Sequence, residues 1–292
     1  MPSHTHPFLA DCEAMADLYL WPLKENLKNW YPDIERNQWD ALKFFLGWYA
    51  FERQGSSPDY PIIAAEVMDE MHKKPLAGGC AQAAWEAFKA KLNSNKLNYA
   101  NNPLCPKGST YQRRFKDKLI NSVVSQYSVL EIIPKSSPDQ SMVVWAKAHL
   151  QNDTLQVAHG ELCRINGVNS KIASFFLRDI AELYHIYPKS QRALLQPVDI
   201  WVRYVANALS GKTLSDPECA QFFVDHAQRP ERANQGSWFF CARIAFSSRF
   251  KVGKSIENKE YRKNLVRDHL RSAINYSQLG QIFAEQQEIN LN

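Results

Sequence analysis

The sequence lacks the features that mark membrane and secreted proteins. No apolar run approaches the roughly 18 residues needed to cross a bilayer. The start, MPSHTHPFLADCEAMADLY, does not show the basic-then-apolar order of a signal peptide. With 45% hydrophobic and 22% charged residues, the 292-residue chain has enough apolar material for a buried core. These features predict a globular protein of the cytoplasm that makes no membrane contact.

The sequence also lacks closely spaced cysteines. Its six cysteines are scattered, and the closest two, Cys219 and Cys241, stand 22 positions apart. A C-x-x-C metal clip or an iron–sulfur loop needs cysteines only a few positions apart, so the spacing excludes both kinds of site. We therefore expect free, partly buried thiols, and neither a bound metal nor a cofactor.

Strand patterns are scarce, and only LEII at 130–133 and VVW at 143–145 resemble buried strands. Helical periodicity is common instead. It covers 38–52, 61–72, 81–92, 113–133, 141–151, 170–185, 199–209, 216–226, 233–247 and 259–285. The polar stretches 55–61, 93–110 and 134–140 are typical of loops. The fold class predicted from pattern alone is all-α.

Positive charge is concentrated toward the C-terminal end of the sequence. The net charge is only +5, but residues 243–271 contain nine Lys or Arg against three acids. A second basic cluster, YQRRFKDK, lies at 111–118. Such clustering favours a polyanionic partner such as nucleic acid. A solvated helix face with i,i+4 ion pairs would give the same pattern.

A short stretch at 165–171, INGVNSK, joins two helical patterns through a turn. Gly167 can adopt a positive φ without steric cost, and Asn169 is predicted to adopt one too, since asparagine is the next most tolerant residue. Such a turn points backbone N–H groups outward beside a helix N-terminus, where they can hold a DNA phosphate without reading sequence. A plain αα-hairpin is the alternative.

Lys171 and Asp199 are the residues best placed for chemistry. Lys171 stands in the first turn of an apolar helix, where the macrodipole disfavours a cation and favours the neutral, nucleophilic amine. Asp199 follows Pro197-Val198 and directly precedes another apolar helix, so it is a good N-cap. A cap fixes the position of the carboxylate. Capping is therefore compatible with catalysis, and a purely structural cap is the alternative.

Taken together, the motifs G-V-N-S-K-I-A and P-V-D-I-W resemble the helix-hairpin-helix DNA glycosylase superfamily, the endonuclease III and 8-oxoguanine glycosylase group. In that group the hairpin G-V-G-x-K-x-A carries the catalytic lysine, and a following V-D begins the next helix with the catalytic aspartate. The match is strongest over 160–209. It implies that Lys171 and Asp199 are catalytic. Further, it implies that the hairpin binds DNA through Gly167, Asn169 and Ser170.

The resemblance also implies a fold and a division of the chain. The expected fold is that of the helix-hairpin-helix glycosylases, with two helical subdomains and the active site in the cleft between them. Residues 41–181 are expected to form subdomain A, a helical barrel that ends in the hairpin. Subdomain B is expected to combine 1–40 with 182–292, and the two form a single catalytic unit. Residues 185–197 lengthen the connection from the lysine helix to Asp199.

Weaker matches suggest how DNA and base are recognised. Arg53 and Gln54, at the end of YAFERQ, resemble the segment that fills the gap left by an extruded base. Gln235 and Phe239, with Trp238, resemble the Gln-x-x-x-Phe with which 8-oxoguanine glycosylases bind the flipped base. The alternatives are a polar helix end at Arg53 and Gln54, and a core position for Trp238 and Phe239 with Gln235 as a helix cap.

The implied function is a DNA glycosylase that flips a damaged or modified base out of double-stranded DNA and excises it. AP lyase activity through a Schiff base on Lys171 is expected, with an oxidised purine such as 8-oxoguanine as the first substrate to test, and the protein is expected to be monomeric. One alternative is a monofunctional glycosylase in which Asp199 activates water, acting on another base, including a bulky enzymatically modified one. A non-catalytic DNA-binding protein and a helical scaffold are the others.

Overall fold

The computed structural model describes residues 6–51, 59–73, 80–95, 103–104, 114–115, 118–119, 127–136 and 141–276, and these described residues are mainly helical. This confirms the predicted all-α class. The α-helices are α1 Pro7–Trp30, α2 Gln38–Phe45, α3 Asp59–His72, α4 Cys80–Ser94, α5 Val129–Ser136, α6 Met142–Gln151, α7 Leu155–Cys163, α8 Ser170–Tyr184, α9 Ile200–Ser210, α10 Asp216–His226, α11 Pro230–Phe239, α12 Arg249–Glu257 and α13 Lys259–Tyr276.

Shorter elements extend or connect these helices. Two π-helical turns, Leu46–Ala50 and Phe240–Ile244, continue α2 and α11, and a 3-10 turn spans Arg192–Leu195. Two short strands, β1 Arg114–Phe115 and β2 Lys118–Leu119, pair antiparallel. The predicted helix over 113–133 is therefore wrong at the strand residues, and helix α5 begins only at Val129.

Three helices lie outside the ranges with helical periodicity, α1, α7 and α12, although the hairpin motif implies α7. Helix α1 contains Pro22, which lacks a backbone donor and is strongly disfavoured inside helices. The helix nevertheless continues through Pro22 to Trp30. Conversely, LEII and VVW lie within α5 and α6, because short apolar runs fit a buried helix as well as a strand. No helix in the described ranges has both the length and the apolar character that crossing a bilayer requires.

The chain divides into two units. A terminal unit combines Met1–Tyr19 with Val198–Asn292, and a central unit spans Leu20–Pro197. Two units with the same discontinuous order were expected, but their boundaries differ from the predicted 40/41 and 181/182. Lys171 belongs to the central unit and Asp199 to the terminal one.

The terminal unit is built around helix α11, which packs against α9 and α10. Apolar side chains from α1 and from α9 through α13 form its core, including Phe8, Val205 and Phe240. A Cβ added at Gly236 in α11 would lie 1.8 Å from the carbonyl oxygen of Cys12 in α1. Only glycine therefore allows these two helix backbones to approach so closely.

The central unit places α8 against aromatic residues of the α2 region. Phe176 of α8 packs edge-on against Phe45 and Tyr49, with ring centroids 5.1 and 5.4 Å away. The Tyr49 hydroxyl donates to Asp179, at 3.1 Å, and Asp179 also pairs with the guanidinium of Arg178 at 2.8 Å. Both charged side chains are fully buried, and this network fixes the helix that carries Lys171.

Candidate active site

The stretch INGVNSK forms the predicted turn between α7 and α8. Gly167 has a φ of +76°, which glycine adopts at little cost. Tyr127, which is distant in sequence, forms an isolated β-bridge with Ile165 at the start of the turn. Tyr127 donates its N–H to Arg164 O and accepts from Asn166 N, each at 2.9 Å. These two hydrogen bonds fix the backbone on either side of Ile165, just before the turn.

Asn169 does not have the predicted conformation. Its φ is −107° and its backbone is extended, so the expectation of a positive φ is wrong. Instead, Asn169 caps α8, and its Oδ1 accepts from the backbone N–H of Ile172 at 3.0 Å. Asparagine is one of the best N-cap residues, whereas glycine offers no side-chain acceptor. Asparagine at this position thus provides a helix cap that glycine could not provide.

Lys171 is the second residue of α8 and is half-buried. Its Nζ lies 6.0 Å from the ring centroid of Phe175, one turn further along the helix. Among the described residues of the central unit, no carboxylate pairs with this amine. Its neighbour Ser170 is exposed. Lys171 thus stands in the first turn of α8 with its amine beside an aromatic ring and without a carboxylate partner among the described residues of its unit.

His159 was not among the predicted site residues, yet it links the two helices of the hairpin. Its Nε2 lies 3.2 Å from Ser170 Oγ and 3.3 Å from Ser174 Oγ, and its Nδ1 lies 3.7 Å from Cys163 Sγ. Both serines belong to α8, whereas His159 belongs to α7. In the sequence, the three polar residues His159, Ser170 and Ser174 are the sign of this contact. They can be recognised as one polar group only when α7 and α8 are known to pack together.

Acidification is expected to weaken the fold through His159. Burial lowers the pKa of His159 below its usual 6.5, and a hydrogen bond with the Ser170 backbone opposes that shift. Below pH 6.5 the unfolded chain therefore binds this proton more readily than the folded protein does. The contribution of neutral His159 is fully present above that pH and is lost as the pH falls through the lowered pKa.

Thermal melting at about pH 7.5 and about pH 5 measures this effect. The melting temperature of the wild type should fall further than that of His159→Gln, which keeps a hydrogen-bonding group but cannot titrate. Burial also lowers the pKa of His6 and His269, and both titrate equally in the two proteins. An equal fall in the two proteins would rule out His159 as a contributor.

Asp199 caps α9, as predicted. Its Oδ1 accepts from the backbone N–H groups of Trp201 and Val202 at 2.8 and 2.9 Å. Both bonds reach the same oxygen, so Oδ2 makes none with the helix. The thiol of Cys241 is a poor nucleophile, because burial, followed by the nearby Cys12 and Asp199, raises its pKa well above its usual range. The carboxylate is thus held through one oxygen, and no hydrogen bond or ion pair from a described residue reaches the other.

The predicted base-recognition residues all lie on α11 of the terminal unit, which also contains Asp199. Gln235 is fully buried within this helix and does not cap its end. Trp238 and Phe239 are half-buried, and their rings pack edge-on against Tyr19 at 5.9 Å and His269 at 6.0 Å. Each ring thus has a packing partner, and their role toward a base stays a prediction.

The cations of the basic segment 243–271, which were predicted to contact a polyanion, are not all accessible to a ligand. Arg262 is only 2% exposed, and its Nε donates to Asp11 Oδ2 at 2.8 Å. It also donates to the carbonyl of Ser255. Its inclusion among the phosphate-binding cations is wrong, because the buried guanidinium joins α13 to α1 and α12. Arg249 and Lys254 are exposed.

Residues 185–197 form an ordered connection against α7. Helix α8 ends at Tyr184, and His185 takes a left-handed φ of 54°. Ser190 donates from its N–H and hydroxyl to Asp153 at 2.9 and 2.7 Å. Gln191 Oε1 accepts from the N–H of Gln156, in the first turn of α7, at 2.9 Å. The inserted stretch thereby supplies a long-range cap to the first helix of the hairpin.

Arg53 and Gln54 lie outside the described residues, as does most of the 93–110 loop. The predicted free thiols are confirmed for Cys12, Cys163, Cys219 and Cys241. In the described part of the chain, no three His, Cys, Asp or Glu side chains gather as metal ligands would.

Comparisons of the chain with models of protein families, with curated proteins and with solved structures find no significant match.

Proposed function

We propose that this protein is a DNA glycosylase with AP lyase activity, acting on a damaged or modified base in duplex DNA. The observation that carries the proposal is that the chain contains both a lysine directly after a hairpin turn and an aspartate that caps the next long helix. Lys171 follows a rigid turn at the start of α8. Asp199 is held by two backbone amides at the start of α9. A structural cap at Asp199 would not require Lys171, and a phosphate-binding turn would require neither.

The hairpin is suited to hold a DNA phosphate. Among the described residues, the N–H groups of Gly167, Asn169 and Lys171 have no protein acceptor, and they stand beside the N-terminus of α8. Backbone donors at a helix N-terminus bind anions without reading sequence. Ser170, exposed at the first position of the helix, adds a hydroxyl donor. The base would be extruded from the stack at a cost of a few kcal/mol, lowest for damaged or mispaired bases.

The proposed chemistry divides between the two residues. The neutral amine of Lys171 attacks the sugar C1′, and the bond from C1′ to the base breaks as the base leaves with a proton. Asp199 stabilises the positive charge that develops on the sugar, and the proton that the amine gives up goes to the departing base. The C1′–O4′ bond of the resulting aminal then breaks, the remaining amine proton moves to O4′, and a Schiff base forms between Lys171 and C1′. Loss of a proton from C2′ then expels the 3′ phosphate by β-elimination, and water releases the lysine by hydrolysis.

A panel of duplexes, each with one altered base, tests this proposal. Free base is measured by mass spectrometry and strand cleavage on denaturing gels, with and without alkali. We expect release of at least one base, beginning with 8-oxoguanine, and cleavage without alkali. Release that needs alkali for cleavage would instead support a monofunctional enzyme in which Asp199 activates water. Salt-dependent DNA binding without release of any base would refute the glycosylase.

A further inference from the structure

A surface of the terminal unit combines exposed aromatic rings with cations that have no carboxylate partner among the described residues. Phe246 and Phe250 are 69% and 75% exposed, which is unusual for large apolar side chains. They stand in the segment that connects the π-helical turn after α11 to the first turn of α12. We call this the aromatic surface. It comprises Tyr204, Phe246, Arg249, Phe250, Lys251 and Lys254.

Phe246 is held in a costly backbone conformation. Its φ is +52° and that of Ser247 is +56°, and a bulky residue in this left-handed region is a genuine outlier. The loop is nevertheless fixed, since Ser247 N donates to Cys241 O at 2.9 Å and Ser248 N to Ala245 O at 3.1 Å. At 69% exposure, the Phe246 side chain is not part of the buried core. Such strain is concentrated at ligand-binding sites.

The segment that contains Phe246 and Phe250 carries charge of one sign only. From 232 to 256 the sequence contains no Asp or Glu. Lys251 Nζ lies 5.2 Å from the ring centroid of Phe246. The Arg249 guanidinium lies 5.8 Å from the Tyr204 ring, whose hydroxyl donates to the Arg249 carbonyl at 3.1 Å. Cations and aromatic rings thus alternate, a combination suited to a ligand with both negative charge and flat apolar faces.

This surface is continuous with the helix that Asp199 caps. Tyr204 belongs to α9, and its ring contacts that of Trp201, at 6.3 Å, in the first turn of the same helix. A nucleic acid strand lying along the aromatic surface would therefore lead toward the N-terminus of α9. This continuity favours DNA over a membrane or a protein partner.

We propose that the aromatic surface binds unpaired nucleotides of DNA. Bases stack on Phe246 and Phe250, while Arg249, Lys251 and Lys254 neutralise the phosphates. Aromatic rings bind single strands because every base has a π-face, which is covered in an intact duplex. The inference rests on the proposed function only in taking DNA as the polyanion. The aromatic surface would give the protein a preference for locally unpaired DNA. The hairpin alone would not give that preference, because it contacts only phosphates.

Fluorescence anisotropy of the full-length protein with two labelled duplexes tests this inference. One duplex is fully paired, and the other has the same sequence with a short single-stranded gap. Wild type should bind the gapped duplex more tightly. Phe246→Ala combined with Phe250→Ala should weaken that binding about ten-fold and change binding of the paired duplex less than about two-fold. Ile62→Ala, which removes another exposed apolar side chain at 60% exposure, should change neither.

Phe246→Gly separates binding from folding. Glycine adopts a positive φ freely, so this variant should melt no lower than wild type yet bind gapped DNA more weakly. Wild-type affinity of both variants for gapped DNA, or equal binding of the two duplexes by wild type, would overturn the inference. A Phe-dependent preference for anionic lipid vesicles over gapped DNA would overturn it too.

The same proteins distinguish this inference from the proposed function. If no duplex in the panel loses a base while gapped DNA still binds through the two phenylalanines, the aromatic surface is supported and the glycosylase is refuted. If base release occurs and the phenylalanine variants bind gapped DNA as wild type does, only the aromatic surface is refuted.

Discussion

Replacing Asp199 with asparagine is expected to slow base release at least about a hundred-fold while leaving the fold intact. The cap uses only Oδ1, which accepts from Trp201 N and Val202 N. Asparagine has the same acceptor and is an equally good N-cap. The substitution therefore removes the negative charge from the site and little else. Base release under single-turnover conditions and thermal melting measure the two consequences.

Two further variants separate charge from capping. Asp199→Ala should lose base release and also about 1 kcal/mol of stability, because the cap is removed. Asn37 is a matched control, since its Oδ1 also accepts from two amides at the start of a helix, Trp39 N and Asp40 N. Asn37→Ala should lose similar stability and retain base release. If Asp199→Asn releases the base at the wild-type rate, Asp199 is a structural cap only.

Gly236→Ala is expected to destabilise the protein by about 3 kcal/mol or more. The added Cβ would lie 1.8 Å from Cys12 O and 2.6 Å from Cys12 C. Both are backbone atoms, so rotation of a side chain cannot relieve the clash, and α1 or α11 must shift. The shift would disturb the core of the terminal unit, to which Phe8 and Phe240 contribute an edge-on ring contact. Chemical denaturation measures the loss.

Gly160→Ala is the matched control for this prediction. Gly160 lies within α7, and a Cβ there meets nothing within 4 Å. Alanine is the better helix former, so this variant should gain up to about 1 kcal/mol. Wild-type stability of Gly236→Ala would show that α1 and α11 do not approach as closely as described.

Features that depend only on residues close together in the chain could be predicted from the sequence. The helix, turn and helix around Gly167 follow from periodicity and from one glycine, and the cap at Asp199 follows from its place before an apolar helix. Asn169 shows where local rules conflict. Asparagine suits both a positive φ and an N-cap, and only the structure shows that the cap is adopted.

Long-range partners could not be read from the sequence. Arg262 looks like one more cation in a basic segment, but its partner Asp11 lies 251 positions away. His159 and Ser174 contact only because α7 and α8 fold back on each other. Likewise, the positive φ of Phe246 is imposed by the loop around it, since phenylalanine does not favour it. Partners of this kind decide which predicted residues are available for binding.

Borohydride trapping tests the central claim most directly. The wild-type protein is mixed with the duplex whose base it releases, and reduction fixes any Schiff base as a covalent protein–DNA adduct. We predict an adduct for wild type and for Lys189→Gln, which alters an exposed lysine, and none for Lys171→Gln. An adduct of undiminished yield with Lys171→Gln, or peptide mapping of the wild-type adduct to another residue, would contradict the assignment of Lys171 as the nucleophile.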